Sequence, residues 1–228
     1  MATIANRLHE VRGRIARACA AARRPVESVT LLAVGKTFDA VLLREAHAAG
    51  QHAFGENYVQ EALAKMAALA DLRSQIEWHL VGPLQANKTR EVAAAFDWVH
   101  AIDRPKIAER LSAQRPAELP PLQVCLQVNI SGEASKSGLR PEEVLQVAQA
   151  VAALPRLTLR GLMAIPEPAE DFEAQRRPHR ALREVFDVLR ADGLGLDTLS
   201  MGMSADLEAA IAEGATIVRI GTAIFGAR

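Results

Sequence analysis

The sequence predicts an α/β fold, a single (β/α)8 TIM-type barrel, on three observations. Eight short apolar runs recur along the chain, helix-period segments separate them, and no GxGxxG follows the first run. Such alternation implies parallel strands, because parallel neighbours need a crossover element between them. Eight strands over 228 residues favour a closed barrel over an open doubly wound sheet, and the missing glycine fingerprint weakens the dinucleotide-binding alternative.

The elements follow in order. Residues 1–24 read as an amphipathic helix, with Ile4, Leu8, Val11, Ile15 and Cys19 on one stripe and Arg7, Glu10, Arg14 and Arg17 elsewhere. The strands are "VTLLAVG" from Val29, "HAFG" from His52, "EWHLVG" from Glu77 and "DWVHAI" from Asp97. They continue with "LQVCLQVNI" from Leu122, "LTLRGLMAI" from Leu157, "DTLSMG" from Asp197 and "TIVRIG" from Thr216. Between them run helical stripes: Val59, Leu63, Met66 and Ala70; Ile107 and Leu111; Leu182, Val185, Phe186 and Leu189. Gly50, Gly193 and Gly214 close helical patterns, Pro141 opens one, and Ser204 or Asp103 suits an N-cap. After the last strand, "TAIFGAR" is too short for an eighth helix, so the N-terminal helix is expected to cover that part of the wall. Residues 1–228 are thus expected to form one barrel domain.

Composition excludes several classes. The 27 basic and 27 acidic residues give no net charge, which argues against a polybasic nucleic-acid binder. Two cysteines, Cys19 and Cys125, lack metal-site or disulfide spacing and read as packing residues. Charges every few residues near the N-terminus break any signal-peptide core, and no run reaches the roughly 18 apolar residues of a membrane span. The expectation is a cytoplasmic protein without metal, membrane or nucleic acid.

In parallel α/β folds chemistry collects at the C-terminal ends of strands. Those ends carry Lys36, Glu56, Asn57, Gln85, Asn87, Asp103, Asn129, Ser200, Arg219 and Thr222, of which Asp103 and Asn87 suit helix caps equally well. Lys36 is no cap: it is either an amine snorkelling out of the barrel mouth or one held partly desolvated, with a larger neutral fraction to attack a carbonyl. A carbonyl substrate and pyridoxal phosphate both fit, and a phosphate site would separate them. "LSMGMSADLEAA" offers Ser200, Gly202 and Ser204 before a helix, and "VRIGTAIFG" offers Gly221 and Thr222 after the eighth strand. Glycines let backbone N–H groups approach an anion, and barrel phosphate sites often follow strands seven and eight. Arg219 either pairs with a carboxylate or faces the pyridine nitrogen of the cofactor, disfavouring its protonation.

"LLAVGKTF", "FGENYVQEA", "WHLVGPLQANKTR", "VNISGEASKSG", "GLMAIP" and "LSMGMSADLEAAIAEGATIVRIGTAIFGAR" resemble the pyridoxal phosphate homeostasis protein family, also called the pyridoxal phosphate-binding or proline synthetase co-transcribed family. The resemblance runs from about Val29 to the C-terminus and implies a barrel similar to the N-terminal domain of alanine racemase, with a helix before the first strand. It implies that Lys36 carries pyridoxal 5'-phosphate as an aldimine, with Asn57 beside the ring. It further implies that Ser200, Gly202, Gly221 and Thr222 hold the phosphate and that Arg219 faces the pyridine nitrogen. Lys136 in "ASKSG" is either a second amine near the mouth or a surface residue, and His79 is read as a core or supporting histidine.

Two-base racemisation needs a second acid/base opposite the lysine. In alanine racemases that tyrosine comes from a second domain, and Tyr58, the one tyrosine here, cannot simply be read as its equivalent. The expected function is therefore a reversible carrier in vitamin B6 homeostasis, affecting amino-acid and keto-acid metabolism indirectly. Its expected partners are pyridoxal phosphate, other B6 vitamers and transiently contacted apoenzymes, and its expected state is a monomer or weak dimer. A cofactor-gated regulatory protein and a weak racemase-type enzyme are the alternatives.

Overall fold

A computed structural model describes residues 3–132 and 137–226. Helix α1 (Ile4–Ala21) precedes β1 (Thr30–Val34), α2 (Ala40–Ala48), β2 (Ala53–Glu56) and α3 (Val59–Ala68). Then come β3 (Glu77–Leu80), α4 (Thr89–Ala95), β4 (Trp98–Ile102), α5 (Pro105–Gln114) and β5 (Leu122–Gln127). The chain continues with α6 (Val144–Ala152), β6 (Leu157–Met163), α7 (Phe172–Ala191), β7 (Thr198–Ser200), α8 (Leu207–Ala212), β8 (Ile217–Ile220) and the single turn α9 (Thr222–Phe225). All eight strands pair in sequence order, and β8 closes on β1 with Leu31 opposite Val218 and Ala33 opposite Ile220. Every pairing is parallel, as the alternation requires.

Strand alternation divides the apolar side chains into two cores. Ala33, Phe54, Trp78, Val99 and Leu126 pack outward against the helices. Leu32, Val34, Ala53, Val81, Trp98, Cys125, Met163 and Ile217 fill the interior of the barrel. Both cysteines are buried, and burial pushes the Cys125 thiol up to about 12, so each serves as packing rather than as a nucleophile.

The predicted stripe of α1 is the face that it buries: Ile4, Leu8, Val11, Ile15 and Cys19 are buried. Thr3 caps the helix by accepting from Asn6 N–H, and α1 lies against α2, α8 and α9, filling the wall that one-turn α9 leaves open. Arg14 fixes its angle through a paired contact with Glu208 at 2.9 Å.

Some sequence expectations need correction. Asp206 and Arg104, not Ser204 and Asp103, occupy the cap positions of α8 and α5. Helix α3 ends at Ala68, and its buried face is Val59, Ala62 and Lys65, with Leu63 and Met66 only half-buried and Ala70 exposed. The helix is rotated because Lys65 points into the protein toward a carboxylate on β2.

Candidate functional site

Register assembles the rim. Val34 on β1 is opposite Gly55 on β2, so Lys36 and Asn57, each two residues further along, reach the same level of the mouth. On the other side Ala33 is opposite Ile220, which brings Gly221 and Thr222 beside the same loop. Gly202 joins them through its carbonyl, which accepts Arg219 N–H at 2.9 Å. The adjacent strands β7, β8, β1 and β2 therefore gather Gly202, Gly221, Thr222, Lys36 and Asn57 along one arc. Gln85, Asn87, Asp103 and Asn129 follow β3, β4 and β5 on the other arc. Lys136 lies outside the described residues.

Lys36 is exposed, which corresponds to the snorkelling amine and not to a desolvated one. Among the described residues no carboxylate forms an ion pair with it. Its backbone, by contrast, is fixed from both sides. Lys65 Nζ donates to the Gly35 carbonyl at 2.7 Å, and Thr37 N–H donates to Glu61 Oε1. Lys65 also reaches both oxygens of Glu56 at 2.9 Å and Glu61 at 2.5 Å. Lys65 and Glu56 are 5% and 0% exposed, so a buried ion pair sits directly beneath the lysine loop. Burial raises the Glu56 carboxyl to about 7, against the lowering influence of Lys65. A side chain at Gly35 would approach Glu56 Oε1 to 2.8 Å, which accounts for the glycine before the lysine.

Gly82 plays a similar part for Asn57. A Cβ there would lie 2.3 Å from the Asn57 carbonyl oxygen and 2.7 Å from its Cα. Asn57 lines a cavity of about 190 Å³ at the mouth together with Val81, Gly82, Gln127, Asn129 and Ile165. Gly82→Ala should therefore displace the Asn57 backbone and destabilise the fold by about 1–3 kcal/mol, the usual range for overpacking, in urea denaturation. A variant of wild-type stability would show that the two loops are not packed this closely.

Ser200 and Arg219 lie one layer deeper. Arg219 Nη1 donates to the Ser200 carbonyl at 2.6 Å and its hydroxyl at 2.8 Å, and Nη2 donates to the Ala164 carbonyl at 2.8 Å. Burial lowers the guanidinium to about 10, which leaves it cationic at neutral pH. It forms no ion pair with a carboxylate among the described residues, so the carboxylate alternative for Arg219 does not hold there. The Ser200 hydroxyl is fully buried between Arg219 and His100. Gly202 turns the chain out of β7 with φ +94, and a Cβ there would meet the Ala210 Cβ at 2.5 Å. Thr222 is exposed, and the first N–H groups of α9 have no acceptor inside that helix.

The rim thus presents donors: an exposed amine, a hydroxyl, an amide and helix N–H groups above a buried guanidinium. The nearby carboxylates Glu56 and Glu61 are already held by Lys65. Sequence reading missed Lys65, Gly82 and His100. Lys65 stands four residues after Glu61, a spacing that signals a helical ion pair, and His100 alternates with Trp98 along β4.

The parallel barrel, with its amine at the end of β1 and a glycine turn after β8, matches the alanine racemase type when compared with known proteins. The family model described as "Alanine racemase, N-terminal domain" matches residues 8–228. The chain belongs to that family and, within it, to the pyridoxal phosphate homeostasis proteins. The protein of that name from Pseudomonas aeruginosa is 61% identical, with 100% of this chain and 97% of that one aligned. The Escherichia coli K12 protein is 54% identical over 100% of this chain and 98% of its own. PipY of Synechococcus elongatus, solved with PLP bound, superposes with a TM-score of 0.85 at 38% identity, covering 98% of this chain and 100% of that chain. An alanine racemase from Clostridium difficile shares the fold at TM-score 0.74 and 13% identity, over 95% of this chain and 56% of its own. Among the described residues no helix is long and apolar enough to cross a membrane, and no cluster could hold a metal ion.

Proposed function

We propose that this chain binds pyridoxal 5'-phosphate reversibly in cytoplasmic vitamin B6 homeostasis, using Lys36 as the attachment point, and releases it to apoenzymes. The observation that carries the reading is the exposed Lys36 amine on a backbone clamped by Lys65 and Glu61. The names of the relatives and the PLP-bound PipY structure support it.

The residues present fit the cofactor. A buried guanidinium with no carboxylate ion pair among the described residues suits an unprotonated ring nitrogen, and the donors around Gly221 and Thr222 suit a phosphate. When bound, the cofactor supplies an aldehyde that combines with a primary amine. Lys36 provides that amine, Asn57 borders the ring position, and Gly202, Gly221 and Thr222 leave backbone and hydroxyl donors at the phosphate end. Ser200 supports Arg219 from below. Tyr58 occupies the N-cap position of α3 with 57% of its surface exposed, which supports a carrier over a two-base enzyme. We read residues 1–228 as one binding unit, a monomer or weak dimer, open to other B6 vitamers.

Transfer tests the reading. Protein loaded with pyridoxal phosphate and freed of excess should restore activity to a pyridoxal phosphate-dependent apoenzyme, and Lys36→Ala treated alike should restore far less. Equal restoration by both proteins would remove Lys36 from the account. Turnover of amino acids by the loaded protein itself would replace the carrier with an enzyme.

A further inference from the structure

The barrel interior contains a line of polar side chains that the rim does not use. Glu77 Oε2, at the N-terminal end of β3, lies 3.2 Å from His79 Nε2. His79 Nδ1 is 2.9 Å from His100 Nε2, and His100 Nδ1 is 2.8 Å from Ser200 Oγ. Arg219 Nη1 completes the line at 2.8 Å from the same oxygen. His79, His100, Ser200 and Arg219 are buried, whereas Glu77 is exposed to solvent at the opposite end of the barrel from the rim. Trp98 stacks on His79 with ring centroids 5.3 Å apart and donates Nε1–H to Glu77 Oε1 at 2.7 Å. The guanidinium of Arg160 lies 4.9 Å from the Trp98 ring centroid.

Donor counting gives this line a direction. A guanidinium can only donate, so Ser200 Oγ accepts from Arg219 and can pass its own hydrogen to His100 Nδ1. If His100 Nδ1 accepts that hydrogen, its Nε2–H is left to donate to His79 Nδ1, and His79 Nε2–H to the Glu77 carboxylate. In this forward direction each ring nitrogen has one role and both histidines are neutral. The reverse direction requires either an imidazolium at His79 inside the barrel or a protonated Glu77. Burial, His79 and Arg219 together hold His100 well below the ordinary histidine range, and the His79 hydrogen bond holds Glu77 below the carboxylate range. The lowered Glu77 disfavours the protonated-Glu77 form of the reverse direction, and the lowered His100 keeps that ring neutral in either direction.

We propose that Glu77, His79, His100 and Ser200 form one directed hydrogen-bond chain that positions Arg219 from the far end of the barrel. In this arrangement the exposed Glu77 carboxylate balances the buried Arg219 cation through three neutral links. The consequence for a bound ring rests on the pyridoxal phosphate reading, whereas the direction of the chain does not.

The test has two arms. Full-length protein labelled with 15N-histidine and stripped of cofactor is examined by long-range proton–nitrogen correlation, with His79 and His100 assigned from single Gln variants. Both should be neutral Nε2–H tautomers. An Nδ1–H tautomer at either residue, or an imidazolium at His79, overturns the proposal. In the second arm, Glu77→Leu cuts the chain at its solvent end and also removes the acceptor of Trp98 Nε1–H, so its folding is checked first by urea denaturation. The His79 nitrogen resonances should shift and pyridoxal phosphate affinity should fall roughly fivefold, at the low end of couplings between separate sites. Unchanged affinity in a folded Glu77→Leu protein overturns the positioning role. Failure of wild type to bind pyridoxal phosphate would instead remove the function proposed above and leave the tautomer result standing.

Discussion

Lys65→Met is expected to destabilise the protein by about 3–5 kcal/mol, the range for removing one partner of a buried ion pair. Methionine fills most of the lysine stem volume, so the loss falls on charge and hydrogen bonding. The Gly35 carbonyl and the Glu56 carboxylate both lose their donor, and Glu56 is 0% exposed. The sign of the pH dependence follows from the same burial. Burial, outweighing Lys65, already pushes the Glu56 carboxyl up to about 7 from its ordinary 4.5. A carboxyl raised in the folded state contributes stability that is fully present below its unfolded value and lost as pH rises through the folded one. Without Lys65 that folded value rises further, so the deficit of Lys65→Met in urea denaturation should be larger at about pH 8 than at about pH 5.5. Equal deficits would contradict a buried, unpaired carboxylate as the cause.

Lys36→Ala should do the opposite. The side chain is exposed and forms no ion pair among the described residues, so stability should stay within about 0.5 kcal/mol of wild type, as for ordinary surface changes. Binding should change fundamentally: the visible absorption of the loaded protein should disappear, leaving only non-covalent association through the phosphate and ring contacts. The contrast separates the two lysines. Lys65 supports the loop and its loss is read in folding, whereas Lys36 supplies the amine and its loss is read in the cofactor.

The barrel was legible because its signals are local and periodic. Eight apolar runs, helix-closing glycines and the stripe of α1 are each visible within a few residues, and they match the observed elements. The layout of the rim followed from placing residues after strand ends, and register explains why Lys36 and Asn57 share a level. Two features were not legible. The buried face of α3 contains Lys65, which an apolar stripe could not reveal because its partner Glu56 lies on a different element. Ser200 was grouped with the rim by its "LSMGMS" neighbours, yet its hydroxyl turns into the barrel toward His100, 100 residues away in the chain. Such contacts depend on closure of the barrel, which brings β4 and β7 across from one another.

The attachment residue is the central claim, and one measurement addresses it directly. Wild-type protein is saturated with pyridoxal phosphate, reduced with borohydride, digested, and the modified peptide located by mass spectrometry. The account predicts a single stable adduct on the peptide carrying Lys36, from "LLAVGK". An adduct on Lys65, Lys88, Lys106 or Lys136 in its place, or no adduct at all, would contradict it.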